Sequence, residues 1–252
     1  MITNLDIETI PDQRKGAYEA FLKDAQENFK APSAFTKTQA CADLGLTGND
    51  AKYTSKDDAI SMWENRFAKE KAPEVAEENW RRTALDGSQG EIFSIAWAVE
   101  NDDVIAVNRE WFVDVLTNEG DMIANFFDKL AKRLAKRQPL FVGQFVGGFD
   151  LKFIFHRCVI LGIKPPFDLP FWGRHSVNFY DTQIAWAGFG GRMSQDNLCK
   201  ALGIEGKPGD IDGSKVWDFV KAGDVDRVVE YNIDDVVKNR QIYKRLNFID
   251  SI

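Results

Sequence analysis

TNLDIETI, residues 3–10, is the stretch that decides the fold. Apolar and acidic residues alternate along it with the two-residue period of a β-strand, whose successive side chains point to opposite faces of a sheet. Leu5 and Ile7 take one face of the predicted strand. Asp6 and Glu8 take the other, so the sequence predicts an apolar strand that presents two carboxylates side by side.

The paired carboxylates of this strand need a physical explanation. A solvated strand face accounts for such a pair in most proteins, but this strand is apolar enough to run through a sheet interior. Buried carboxylates without compensation are costly, and bound divalent cations offset that cost. Because the chain has only 2 histidines, a metal centre here must use oxygen ligands, which favour Mg²⁺ or Mn²⁺.

The segment after the first strand is predicted to be a helical insertion, at about residues 11–89. Residues 13–30 and 55–85 have helical spacing, and Pro73 divides the second stretch into two predicted helices. Residues 31–53 are rich in small and turn-forming residues, which predicts irregular structure.

Beyond the insertion, predicted strands alternate with predicted helices. The predicted elements are hairpin strands at 91–101 and 103–111, a helix at 121–137, a strand at 139–146, a helix at 151–163, a strand leading into a helix at 178–188, a helix at 196–204, and a helical end at 213–246 with a break near Gly223. This order predicts an α/β fold with a mixed central β-sheet flanked by helices. Residues 1–10 and 90–252 form the core of the single predicted domain.

Composition narrows the class of function. The chain has 252 residues, of which 44% are hydrophobic and 28% charged. It has no apolar run of about 18 residues that could span a bilayer and no secretory signal at its N-terminus, so we expect a cytoplasmic protein without a membrane role. Cys41, Cys158 and Cys199 lie far apart in the sequence, which is typical of reduced thiols. The net charge of -7 argues against a simple phosphate-binding module, but not against a nuclease whose carboxylates hold cations.

Asp150 follows the predicted strand at 139–146 and directly precedes a predicted helix. Its carboxylate is therefore expected at the carboxyl edge of the sheet. A helix N-cap alone would explain an aspartate at this position, and a metal ligand is the alternative. Gly147 and Gly148 permit a tight turn or a close approach of the backbone to a ligand.

The late helix carries the motif EYNIDDVV, in which Tyr231 and Asp235 are four residues apart. That spacing places both on one helix face, one turn apart, whereas the rival Asp234 is rotated away by about 100°. An ordinary polar surface position is the alternative for Asp235. Because a phenol has a reference pKa of about 10, we expect Tyr231 to orient a metal-activated water and not to act as a strong base.

Read together, three motifs resemble the DEDD exonuclease superfamily in its tyrosine-bearing branch. They are DIET at residues 6–9, FD at 149–150 and Y-x-x-x-D at 231–235. The chain looks similar to the proofreading exonuclease domains of family B DNA polymerases and their free-standing relatives, including the glycine-rich turn and the tryptophan within residues 196–236. The resemblance covers residues 1–10 and about 90–248.

The resemblance implies a ribonuclease H-like fold and two-metal hydrolysis of the 3′-terminal phosphodiester. The cofactors it implies are two divalent cations, Mg²⁺ or Mn²⁺. In that scheme Asp6 bridges both cations. Glu8 and Asp235 complete the site of the water-activating cation, Asp150 helps to hold the second cation, and Tyr231 positions the attacking water.

One departure from the family pattern concerns contacts to the terminal nucleotide. Members often carry a His-Asn pair a few residues before the second-motif aspartate, where this chain has Gln144 and Phe145. Phe145 either stacks on a base or packs against the protein. The residues expected to contact the substrate are Thr9, Gln144, Phe145 and Phe149.

Two further features have structural alternatives. Asp181 precedes a predicted helix, so it is either an N-cap or a residue that supports the site. The basic residues of the 121–137 helix form either a solvated surface or a track for phosphates; they are Lys129, Lys132, Arg133, Lys136 and Arg137.

The insertion is expected to have little core of its own. Its large aromatic residues are therefore candidates for base stacking, with core packing as the alternative. These residues are Trp63, Phe67 and Trp80. We hypothesise that the insertion covers the site or guides the strand into it.

The sequence is compatible with several functions. A 3′-5′ exonuclease is favoured, with single-stranded DNA 3′ ends as the preferred substrate because the chain resembles proofreading domains. An exoribonuclease stays open, since no motif reports how the site treats the 2′-OH. A catalytically silent nucleic-acid-binding protein on the same fold would be expected to lack a metal ligand, and none is lacking here. A structure-specific endonuclease fits the last motif less well. A replication or repair protein is the expected class of protein partner.

Overall fold

The residues that the computed structural model describes are 1–112, 115–171, 179–206 and 211–249. His175 and part of the predicted glycine-rich turn lie outside them. The chain forms two compact units. The larger comprises Met1–Pro11 and Ala84–Ile252, and the smaller comprises Asp12–Thr83.

The larger unit is built on a mixed sheet. The strands of the described residues are β1 (Ile2–Ile10), β2 (Glu91–Val99), β3 (Ile105–Asn108), β4 (Trp111–Phe112), β5 (Val115–Leu116), β6 (Leu140–Gly143) and β7 (Phe179–Asp181). The central sheet has the order β3-β2-β1-β6-β7, and β4 pairs separately with β5. β1 is antiparallel to β2 and parallel to β6, β2 and β3 form the predicted antiparallel hairpin, and β6 and β7 are parallel. The predicted mixed sheet is confirmed.

Helices flank this sheet and make up the smaller unit. The helices of the described residues are α1 (Ala17–Glu27), α2 (Lys37–Leu44), α3 (Gly48–Tyr53), α4 (Lys56–Arg82), α5 (Glu119–Leu134), α6 (Asp150–Leu161), α7 (Thr182–Ala187), α8 (Gln195–Leu202), α9 (Val216–Ala222) and α10 (Val225–Leu246). Helices α9 and α10 are separated at Gly223, as predicted. The order of elements confirms the predicted α/β class.

The alternation along β1 separates the two faces of the sheet. On one face Leu5 lies in the apolar core with Phe126 of α5 and Ile154 of α6. On the other face the side-chain amide of Asn232, in α10, donates to the Asp6 carboxylate. The acidic face of β1 is therefore covered by α10.

Strand β6 is shorter than the predicted strand at 139–146. It ends at Gly143, and the backbone of Phe145 has a φ of 57°, a left-handed conformation that cannot continue a strand. Residues 144–149 form a turn into α6 instead. A Cβ atom at Gly148 would lie 2.3 Å from the ring of Phe145, so this close ring packing requires glycine.

The smaller unit has an apolar core, and the prediction that it would have little core was wrong. The rings packed around Trp63 are those of Phe29, Phe35 and Phe67, with centroid distances of 5.6, 4.4 and 5.3 Å. The indole nitrogen of Trp80 donates to the Asp12 carbonyl at 2.8 Å. Because Trp63 and Trp80 are buried, core packing is the correct interpretation of both, and base stacking by them was a wrong prediction.

Two local predictions within the smaller unit were also wrong. Residues 31–53 contain helices α2 and α3 where irregular structure was predicted. The missed signal is a capping box, in which Thr36 and Gln39 satisfy each other's backbone N–H groups.

Pro73 lies within a continuous α4, where a break between two helices was predicted. A proline inside a helix removes one backbone hydrogen bond. Ala72 and Ala76, on either side of it, are buried against Tyr18 and Phe21 of α1. This packing holds both halves of α4 on one partner and offsets the lost bond.

Three further features of the described residues bear on the sequence predictions. Lys132 pairs with Asp128, and Arg133 with Asp102, on an exposed surface, so the basic helix face is solvated. The three cysteines are free and buried. Among the described residues, no helix combines the length and the apolar character needed to cross a membrane.

A buried ion pair ties α5, α6 and β2 together. The Arg157 guanidinium donates to the Glu119 carboxylate at 2.7 Å, with both side chains less than a tenth exposed. The same carboxylate accepts the backbone N–H of Ile92 at 2.7 Å. Removing only the arginine would leave the carboxylate buried with its charge uncompensated.

We expect Arg157→Ala to lower the free energy of unfolding by about 3–5 kcal/mol, because breaking one side of a buried pair strands the other charge. Urea unfolding followed by circular dichroism measures this change. Lys132→Ala is the matched control, since its exposed pair with Asp128 should contribute less than about 1 kcal/mol. Equal, small effects of both substitutions would contradict the prediction.

Candidate metal centre

Three carboxylates converge on the face of β1 that α10 covers. Ligand oxygens from Asp6, Glu8 and Asp235 all lie within 4.8 Å of one another. Strand alternation brings the first two together, and the packing of α10 on β1 brings the third. Glu8 and Asp235 are buried, and Asp6 is half-buried. The structure thus brings together three of the four predicted ligands.

A short chain of hydrogen bonds orients Asp6. The hydroxyl of Ser94 donates to the Asn232 carbonyl oxygen at 2.7 Å, and the Asn232 amide donates to Asp6 Oδ2 at 2.8 Å. Ser94 and Asn232 are fully buried. Neither residue was among those predicted for the site. The available signal was that Asn232 lies three residues before Asp235, and therefore on the same helix face.

Asp150, the fourth predicted ligand, is held beside the trio by the backbone of β1. Its Oδ1 accepts the N–H of Ile7 at 3.0 Å. The N-cap of α6 is Phe149, so the alternative interpretation of Asp150 as the cap was wrong. Burial raises the pKa of Asp150, and the charges of Asp181 and Asp235 raise it further. Asp150 therefore belongs to the same electrostatic cluster, although its oxygens are not part of the 4.8 Å group.

The phenol of Tyr231 also lies within the field of the carboxylates. Burial is the largest cause that raises the pKa of Tyr231. The negative charges of Asp235, Glu8 and Asp6 raise it further, in decreasing order. Tyr231 is therefore a hydrogen-bond donor at neutral pH and not a base. Asp234, the rival of Asp235, forms an ion pair with Lys238 instead.

The donor set fits hard divalent cations. The three clustered ligands are all carboxylates, and among the described residues no histidine or cysteine joins this group. Oxygen donors suit Mg²⁺ or Mn²⁺, whereas zinc sites favour nitrogen and sulfur. A cation bound here would offset the mutual repulsion of the buried carboxylates.

Two of the predicted substrate contacts use their polar groups within the protein. The hydroxyl of Thr9 donates to the Ala84 carbonyl at 2.7 Å. The side chain of Gln144 accepts a hydrogen bond from the Thr182 hydroxyl at 2.6 Å and donates to the Met193 carbonyl. Gln144 therefore braces the turn after β6.

The two predicted aromatic contacts differ in exposure. Phe149 is half-buried, with its ring centroid 5.5 Å from that of Phe153 in the core. Phe145 is 46% exposed. Phe145 is therefore the aromatic residue of this turn with a ring face open to a ligand.

The larger unit of the chain matches a known family. A family model described as a predicted 3′-5′ exonuclease related to the exonuclease domain of PolB matches residues 87–251. The chain belongs to this family. Comparison with curated proteins finds no match.

The fold of this exonuclease-family chain is similar to that of a family B DNA polymerase from the hyperthermophilic archaeon Pyrobaculum calidifontis. The identity is 13% and the TM-score 0.53. The match covers 97% of this chain and 24% of the polymerase, so the chain spans about a quarter of that protein's length. This likeness supports the predicted ribonuclease H-like fold with its mixed five-stranded sheet.

We expect Asn232→Ala to weaken divalent-cation binding about tenfold or more, because partners that orient metal ligands typically contribute that much. Calorimetric titration with Mn²⁺ measures the dissociation constant. Asn247→Ala, which alters an exposed hydrogen bond to Tyr243 just after the same helix, is the control and should leave it unchanged. Unaltered Mn²⁺ affinity in folded Asn232→Ala protein would refute the role assigned to Asn232.

Proposed function

We propose that this chain is a metal-dependent 3′-5′ exonuclease that hydrolyses the 3′-terminal phosphodiester of nucleic acid and releases nucleoside 5′-monophosphates. Single-stranded DNA is the favoured substrate. The observation that carries the proposal is the convergence of Asp6, Glu8 and Asp235 within 4.8 Å, beside a buried tyrosine, in a chain that matches an exonuclease family.

The carboxylates would hold two divalent cations, Mg²⁺ or Mn²⁺. Asp6, oriented by Asn232, would be the shared ligand. Glu8 and Asp235 would complete one site, and Asp150 would complete the other. When bound, such cations lower the pKa of a water molecule and stabilise the charge that develops on the leaving 3′ oxygen.

Tyr231 donates a hydrogen bond to the attacking water or to the scissile phosphate. A phenol has a reference pKa of about 10 and burial raises the pKa of Tyr231, so its proposed function is to orient and not to deprotonate. In the reaction the water oxygen bonds to phosphorus and the bond from phosphorus to the 3′ oxygen breaks. The water releases a proton, and the leaving oxygen takes one up.

Three of the four proposed substrate contacts, Gln144, Phe145 and Phe149, lie in the turn that precedes α6, and Thr9 lies on β1. The open ring of Phe145 suits stacking against an unpaired base, a contact that tolerates any base sequence. Phe149, Thr9 and Gln144 complete the proposed contact set, with the last two acting through the backbone they brace. The likeness to a DNA polymerase favours DNA over RNA, and a replication or repair protein is the proposed class of partner.

Incubation with 5′-labelled single-stranded DNA, double-stranded DNA and RNA tests the activity. With Mg²⁺ or Mn²⁺ we expect a ladder of products shortened from the 3′ end, strongest on single-stranded DNA and abolished by a chelator. Asp6→Ala and Asp235→Ala should remove the ladder because each removes a metal ligand.

Asp226→Ala is the matched control for these variants, since Asp226 is an exposed carboxylate in the first turn of the same helix. It should retain wild-type activity. Binding of single strands without cleavage of any substrate would indicate the silent binding protein instead. Internal cuts that persist in Asp6→Ala would indicate a contaminating or different nuclease and overturn the proposal.

We expect Tyr231→Phe to keep the fold, because the ring still packs with Ile10 and Val228. Loss of a hydrogen bond to a charged group costs about 1.5–3 kcal/mol, which corresponds to a fall in kcat of roughly ten- to a hundredfold. Single-turnover kinetics on a labelled strand measures the change, and Mn²⁺ affinity should stay constant. An unchanged rate would remove Tyr231 from the catalytic residues.

A further inference from the structure

Asp181 ends β7 and caps α7, but its contacts extend beyond that helix. Its Oδ1 accepts the backbone N–H groups of Gln183 at 3.0 Å and Ile184 at 3.2 Å, which confirms the N-cap interpretation. The same oxygen also accepts the N–H of Phe145 at 3.1 Å. This third bond contributes nothing to capping, and it joins the turn after β6 to the start of α7.

A buried carboxylate is a costly way to make a helix cap. Asp181 is 5% exposed, and burial raises its pKa. Elsewhere in the chain, helices α2 and α4 are capped by the hydroxyl groups of Thr36 and Ser55. A hydroxyl caps a helix about as well as a carboxylate, but it is shorter. The longer side chain is therefore explained by its reach to Phe145.

The turn that Asp181 binds holds an unfavourable backbone conformation. Phe145 has a φ of 57°, and a left-handed non-glycine residue persists only where its surroundings enforce it. Its N–H is bound by Asp181, and its carbonyl accepts the N–H of Phe149 at 2.9 Å. The conformation is thus fixed from both sides, directly before the helix that begins with Asp150.

This conformation leaves an apolar ring exposed in the turn that leads from β6 to Asp150. Phe145 is 46% exposed and Ile184 is 36% exposed. Since their backbone nitrogens bind the same Asp181 oxygen, the two residues are neighbours. An exposed aromatic ring on a fixed backbone is suited to the flat face of an unpaired nucleobase.

We propose that Asp181 is a positioning residue for substrate binding, which holds Phe145 so that its ring presents a fixed stacking face to a base of an unpaired 3′ strand. The inference rests on the proposed function, because it assumes that nucleic acid is the substrate. It extends that function by assigning selection of unpaired bases to the contact between β7 and the turn after β6.

Asp181→Ser separates the two roles of this residue. Serine is a good N-cap, but its side chain is too short to bind Phe145 as well. We expect the unfolding midpoint to stay close to that of the wild type. The KM for single-stranded DNA should rise about tenfold, the scale of one lost base stack, with a smaller change in kcat.

A double-mutant cycle with Phe145→Ala tests the coupling between the two residues. If Asp181 acts through Phe145, Phe145→Ala raises KM as Asp181→Ser does, and the double variant is no worse than Phe145→Ala. Gly148→Ala should raise KM too, because the added Cβ would lie 2.3 Å from the ring and displace it. Asn118→Ser, a cap exchange at α5, is the control and should leave KM unchanged.

Binding without turnover keeps this inference separate from the nuclease proposal. A strand with 2-aminopurine at its 3′ end, added with chelator present, should show stacking-dependent quenching with the wild type and lose it with Phe145→Ala and Asp181→Ser. Quenching with wild-type protein that never cleaves DNA would overturn the exonuclease and leave the stacking role intact.

Three results would overturn the role of Asp181. The first is a wild-type KM and wild-type quenching in folded Asp181→Ser. The second is a double variant whose rise in KM equals the product of the rises in Asp181→Ser and Phe145→Ala. If Asp181→Ser fails to fold, Asp181→Thr, which also retains a capping hydroxyl, replaces it in the cycle. Wild-type KM in folded Asp181→Thr is the third such result.

Discussion

The packing of α10 on the acidic face of β1 is the contact on which the rest of the molecule depends. One face of β1 is committed to the apolar core through Leu5, so the alternation of the strand forces Asp6 and Glu8 toward α10. Helix α10 presents polar side chains to this face. The Asn232 amide donates to Asp6, and the Asp235 carboxylate lies with those of Asp6 and Glu8. The same contact that completes the fold therefore assembles the site.

The clustered carboxylates repel one another, and hydrogen bonds within the protein offset part of that repulsion. The Ile7 N–H supports Asp150, and the chain from Ser94 through Asn232 supports Asp6. Burial and neighbouring charge still raise the pKa of Asp150, which means that its ionised form is held at a cost. Cations are the complementary charge, and a site of this kind couples their binding to the close approach of β1 and α10.

Local periodicity explains how much of this was predictable from sequence. The spacing of Asp6 and Glu8 on a strand, and of Tyr231 and Asp235 on a helix, follows from backbone geometry alone. The bond between Asn232 and Asp6 joins residues 226 positions apart, so helical spacing places Asn232 on the face of Asp235 but does not reveal its partner. Pro73 and the core around Trp63 were misjudged for the same reason, since tertiary packing decides both.

The turn from Gln144 to Phe149 shows how a departure from a family pattern can be accommodated by the fold. A phenylalanine in place of a polar residue would normally be buried in the core, yet Phe145 is 46% exposed and its backbone is left-handed. That conformation depends on a carboxylate two strands away from β1 and on a glycine that leaves room for the ring. Phe145, Asp181 and Gly148 therefore depend on one another, and a substitution of any of them should change the position of the Phe145 ring.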